Sequence, residues 1–134
     1  MGFKDSGEVT KYIGGIFEDA FKDPEIGPKL VDTGLVVAFD FSDPVAVVVV
    51  DMPNQTVTDG TSRVTAPSAT MTMTADLGNA YWQGKVNLPM AMAKRKVKVD
   101  GNVASLLKLA PLGKKLYAGY IQRLKDDGRE DLIV

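Results

Sequence analysis

Cysteine and histidine are both missing from this sequence. Without cysteine there is no disulfide framework and no thiolate chemistry, and a reducing compartment is the expected setting. Without histidine there is no Ser-His-Asp or Cys-His nucleophile and no ordinary zinc site. Catalysis would have to use carboxylates, Lys, Tyr, Ser or Thr. Surplus charge is missing too: the net charge is −1 and the pI about 5.4, which argues against general nucleic-acid binding. No apolar run reaches the length that crosses a bilayer; the longest, Val45–Val50, is the size of a strand. The start of the chain shows no basic segment followed by an apolar core, so no secretory signal is expected. What is present is 134 residues, 45% hydrophobic and 25% charged, enough for one globular domain spanning 1–134 with a real core.

The first element read along the chain is a helix. Asp5 and Glu8 form a capping-box-like pair, and Val9, Tyr12, Ile13, Ile16, Phe17, Ala20 and Phe21 recur at helical spacing. Asp23-Pro24 ends it, and Pro24 opens a second short helix, Pro24–Asp32, which Gly34 stops. Gly14-Gly15 is no phosphate loop, since no strand precedes it; it suits a close approach by another element. Leu35–Ser42 alternates, with Leu35, Val37, Phe39 and Phe41 on one face. Val45–Met52 is apolar on both faces, as in a central strand. Ser42-Asp43-Pro44 joins the two as a hairpin turn. Asn54–Asp59 reads as a third strand and Gly60–Ser68 as a polar loop. Pro111 is expected to break the chain before a last amphipathic helix carrying Leu112, Leu116, Tyr117, Tyr120, Ile121 and Leu124. Asp126–Val134 should fray unless Leu132-Ile133-Val134 dock. Helices before and after hairpin-linked strands make an α+β domain.

The stretch Thr70–Leu109 is the most informative. Met71 and Met73 share one face of a strand, and Thr70, Thr72 and Thr74 the other. Thr74 and Asp76 can cap a short helix with Leu77, Ala80 and Tyr81, closed by Gly84. After a wide loop, Arg95–Asp100 alternates again, with Val97 and Val99 inward. Gly101-Asn102 turns into a helix with Leu106 and Leu107. This order, through Ala69–Asp76, Gly84-Lys85-Val86, Lys94–Val99, Gly101-Asn102 and Leu106–Leu109, resembles the sterol carrier protein type 2 family. The resemblance implies a five-stranded, mostly antiparallel sheet covered by helices, an internal hydrophobic cavity between them, and a non-catalytic carrier of a sterol, fatty acid or fatty acyl-CoA. It implies no cofactor. Eukaryotic members often end in a Ser-Lys-Leu type of address; this chain ends Asp-Leu-Ile-Val, and a cytoplasmic setting is expected.

Four groups of residues stand out. Met71, Met73, Met90 and Met92 are flexible apolar side chains, suited either to core filling or to a cavity that accepts varied lipids; the resemblance favours the cavity. With them, Phe17, Phe21, Phe39, Leu77, Trp82, Leu106, Leu109, Leu112, Leu116 and Tyr120 are the expected lining. Lys94, Arg95, Lys96 and Lys98 either guard an edge strand against pairing or attract an anionic group or membrane. Tyr81 and Trp82 suit a cavity mouth or ordinary packing. Asp40 and Asp51 lie in apolar strands, where a buried carboxylate could act as acid or base, although a solvent-facing position is the ordinary outcome. Two other function classes stay open on these residues: a small enzyme using carboxylates and tyrosines on a lipid-like substrate, and an interaction subunit with a Met-rich interface. Partners are expected to be an apolar small molecule and transient membrane or enzyme contacts.

Overall fold

A computed structural model describes residues 2–60 and 67–134. The polar loop expected at Gly60–Ser68 lies, for residues 61–66, outside the described residues. The first helix starts as α1 (Ser6–Val9), widens into a π-helical stretch over Thr10–Gly14, and continues as α2 (Gly15–Lys22). Asp5 caps it by accepting from the Glu8 backbone at 2.9 Å, while the Glu8 carboxylate reaches back to the Lys4 N–H at 2.8 Å. The next helix, α3, covers Ile26–Asp32 and not the full stretch from Pro24. Asp23 holds its start by accepting from Glu25 and Ile26 backbone N–H groups.

Five strands follow in a mixed sheet of order β3-β2-β1-β4-β5. They are β1 (Val36–Ser42), β2 (Ala46–Asp51), β3 (Thr56–Asp59), β4 (Ala69–Thr74) and β5 (Lys98–Gly101). Three pairings are antiparallel; β1 and β4 run parallel. The middle of the sheet is therefore β1, and β2 stands one place out, buried on both faces. Alternation sends Val37, Phe39, Phe41, Val48, Val50, Met71 and Met73 to the face under the helices, where all are buried. Val36, Ala38 and Val49 make a second, smaller apolar cluster on the opposite face.

The remaining helices are α4 (Ala75–Tyr81), α5 (Leu88–Ala93), α6 (Val103–Lys114) and α7 (Tyr117–Asp126). Thr74, Asn87 and Asn102 cap α4, α5 and α6, each accepting a backbone N–H at 3.1 Å. Three expectations are corrected here. The wide loop before β5 contains α5. Lys94–Lys96 are not strand residues; they close α5. And Pro111 does not break the chain but sits inside α6. An interior proline costs a helix about 3 kcal/mol. Here Leu106, Leu109 and Gly113 are buried on one side across the proline, and their shared packing sustains the helix.

Close approaches are built from glycine. A Cβ at Gly14 would stand 2.9 Å from Val57 of β3, so the widened first helix can lie directly on the sheet, as Gly14-Gly15 suggested. A Cβ at Gly78 would strike the Phe41 ring, which seats α4 on β1. The C-terminal residues do not fray. A 3-10 turn, Glu130–Leu132, buries Leu132 to 1% exposure. The Leu132 carbonyl accepts from the Asn79 and Gln83 side-chain amides at 2.7 and 2.9 Å, and Val134 N–H donates to Gln83 at 2.9 Å. Tyr120 OH donates to the side-chain amide oxygen (Oδ1) of Asn79 at 2.6 Å, completing a buried polar network.

Candidate functional site

Between the inner sheet face and the helices lies an apolar pocket. Its sheet side is Phe39 of β1 and Met71 of β4; α2 and α3 add Phe17 and Leu30. The other wall is Tyr81 of α4, Trp82 just after it, Leu88 of α5, Leu106, Leu109 and Gly113 of α6, and Leu116 in the link to α7. No charged side chain belongs to this lining among the described residues. The rings fill most of the space. Trp82 meets Phe17 and Tyr81 edge-on at 5.2 Å, and Phe39 and Tyr117 at 6.5 and 6.2 Å. The remaining volume is about 20 Å³. That is far below the roughly 300–1,000 Å³ of ligand pockets. The rings and leucines that meet across the site have closed the wider cavity implied by resemblance to little more than a gap.

The structure thus brings together Phe17, Phe39, Met71, Trp82, Leu106, Leu109 and Leu116 from the expected lining. The others lie elsewhere. Met73 is buried in the core outside the pocket lining, and Leu77, Met92 and Leu112 are half-buried against that core. Phe21 is on the rim of a separate groove with Glu18, Lys22 and β3. Tyr120 belongs to the polar network of Asn79, where burial and the neighbouring Tyr12 raise its phenol above the ordinary range. Met90 was expected to point inward; it is 53% exposed, because Leu88 and Ala91 take the buried side of α5.

Sequence reasoning missed Leu30, Leu88 and Gly113. Gly113 had a signal: it continues the 106/109 spacing once Pro111 is allowed inside the helix. Tyr81 and Trp82 are not at an exposed mouth, being 8% and 5% accessible. Burial, reinforced by Tyr117, pushes the Tyr81 phenol well above its usual range, so it stays neutral. Asp40 lies on the opposite sheet face, in register with Val47 and Thr72. Asp51 is occupied at a turn, accepting from the Asn54 backbone and side chain. Neither carboxylate reaches the pocket. Lys94, Arg95, Lys96 and Lys98 are all exposed, and only Lys98 sits on the edge strand, 3.9 Å from Asp100. No group of residues suited to a metal ion occurs among the described residues, and no described helix is long and apolar enough to cross a membrane.

An apolar pocket under a helical cover, on one face of this five-stranded mixed sheet, defines an α+β domain whose candidate site lies between sheet and helices. The chain belongs to the SCP-2 sterol transfer family, whose model matches residues 16–114. Among solved structures, it is similar to the sterol carrier protein domain 2 of Helicoverpa armigera, with a TM-score of 0.68 and 22% identity over 87% of this chain and 94% of that one. It is also similar to sterol carrier protein 2 from Yarrowia lipolytica in its apo form, with a TM-score of 0.64 and 20% identity over 80% and 98% of the two chains. A third neighbour is sterol carrier protein 2 from Aedes aegypti in complex with the C16 fatty acid palmitate: TM-score 0.56, 26% identity, covering 85% of this chain and 97% of that one. No curated protein sequence matches the chain.

Proposed function

We propose that this protein is a non-catalytic lipid carrier that encloses an aliphatic ligand, such as a fatty acid, fatty acyl-CoA or sterol, between α6 and the inner sheet face. The observation that carries this reading is the pocket lining, which has no charged side chain among the described residues and draws on the sheet and five helical segments. Family membership supports it, as does the palmitate complex of the Aedes aegypti neighbour. A ligand must widen the pocket, and the energetics permit that. A chain of about a dozen carbons gains roughly 10 kcal/mol on burial, enough to offset parting a few side-chain contacts. Leu, Met and ring contacts re-form around a new shape with little directional penalty. The enzyme reading is not favoured, because the carboxylates it needs lie outside the pocket. The absence of cysteine accords with the proposed cytoplasmic setting.

Native mass spectrometry of the purified protein, followed by competition against a fluorescent fatty acid, tests the proposal. Binding is expected at micromolar levels, with competition following chain length more than head group. A folded protein that neither carries nor takes up any apolar ligand refutes it.

A further inference from the structure

Charge is distributed unevenly along this nearly neutral chain. Of its 16 Lys and Arg and 17 Asp and Glu, ten basic residues and one acidic residue, Asp100, fall between Leu77 and Lys125. That segment supplies most of α4, all of α5 and α6, and the pocket wall they form, so the basic residues of the chain are concentrated in the segment that builds this wall. We infer that α5 and the basic turn closing it, Lys94-Arg95-Lys96, dock on an anionic bilayer surface and form the part of the cover through which lipid passes; this rests on the carrier reading above.

Three observations carry the inference. First, α5 has two differently used sides. Leu88 lines the pocket, while Pro89, Met90 and Ala93 are exposed, Met90 to 53%. An exposed apolar patch beside three exposed cations fits the boundary between headgroups and acyl chains. Second, among the described residues Lys94, Arg95 and Lys96 make no ion pair, so their charge is uncompensated. Anionic lipid supplies the complement.

Third, the turn keeps a cation where a helix end favours glycine. Lys96 N–H bonds to the Ala91 carbonyl at 2.9 Å and Arg95 N–H to the Met92 carbonyl at 3.1 Å, the double bond pattern of a helix C-terminus. Arg95 occupies its left-handed position, φ 62°. Glycine adopts that conformation without penalty, and arginine does not. Keeping arginine there makes sense if the guanidinium is used outside the fold.

Sedimentation with vesicles of phosphatidylcholine alone, and with phosphatidylglycerol added, tests it. The protein is expected on the anionic vesicles only, with binding weakened by salt as the Debye length shrinks to about 10 Å at 0.1 M. Arg95→Gly should lower that binding about fivefold while the melting temperature holds or rises. Joint substitution of Lys94, Arg95, Lys96 and Lys98 by Gln should lower it by more than about tenfold. Met90→Asp should also weaken it, and uptake of fluorescent fatty acid from solution should survive every variant. Equal binding to both kinds of vesicle, or unchanged binding by the joint variant, overturns the inference. A protein that takes up fatty acid from solution yet ignores anionic vesicles overturns the docking surface alone. One that docks but never takes up lipid keeps the surface and overturns the carrier reading.

Discussion

Replacing Phe17 by alanine should lower stability by about 3–5 kcal/mol and at the same time make the protein more dependent on bound lipid. Phe17 is 1% exposed and meets Trp82 edge-on at 5.2 Å and Phe39 at 5.6 Å. Removing its ring leaves those two partners facing empty space, in the one region where a ligand is proposed to lie. The two effects separate in a thermal melt. Without added lipid the variant should melt far below the parent protein. With saturating fatty acid it should recover more than the parent gains, because a ligand occupying the new space binds only the native state. A variant that melts low and gains nothing from any apolar ligand would show that Phe17 is a packing residue and that the pocket is misplaced.

The second large effect is expected at the C-terminal end of the chain. Deleting Arg129–Val134 strips Asn79 and Gln83 of the carbonyl and amide they pair with, and exposes the site where Leu132 packs. A buried amide left unsatisfied costs about 1–3 kcal/mol, and losing a buried leucine about 1.5–3 kcal/mol. Together these should lower the melting temperature by about 15 °C or more. Acid should loosen the same clamp. The Arg129 guanidinium pairs with Glu8 and Asp131. The Lys4 N–H and Arg129 hold the Glu8 carboxyl below its ordinary value, and Arg129 does the same for Asp131. A lowered folded-state value means that the stabilising contribution is complete above the unfolded value and is lost as pH falls through the folded one. The effect therefore belongs below the ordinary carboxylate range. A melting temperature that is unmoved by the truncation would mean that the tail is only laid against the surface.

Local rules carried much of this structure in the sequence. The Thr/Met alternation of Ala69–Thr74, the caps at Thr74 and Asn102, and the Ser42-Asp43-Pro44 hairpin all follow from neighbouring residues, and all are present. The failures came where distant packing outweighs a local signal. Pro111 is a helix breaker by its chemistry, yet the burial of Leu106, Leu109 and Gly113 carries α6 past it. Val97, Lys98 and Val99 alternate as a strand should, but the first half of the stretch was needed to close α5. Met90 looked like lining because the short pattern of α5 does not tell which side is buried; Leu88 and Ala91 take that side. For the last residues, Leu132-Ile133-Val134 marked docking only as the alternative to fraying, and where they dock was not legible. It depends on Asn79 and Gln83, two polar side chains that nothing in sequence marks as buried.

The parallel pairing of β1 with β4 has a consequence for how the molecule assembles. The strands β1, β2 and β3 are joined by short turns and can zip up locally. By contrast, Val37 meets Ala69 only after the whole of β2 and β3 and the following chain have been closed into a loop. Loop closure of this kind is slow and comes before any reward from the contacts it makes. The pocket spans that late seam, since Phe39 lies on one side of it and Met71 on the other. The ligand site should therefore be completed at the end of folding. In pulse-labelling hydrogen exchange, amides in the β1–β2 ladder should gain protection before those of β4 and β5. Simultaneous protection of all five strands would mean that the seam closes with the first collapse.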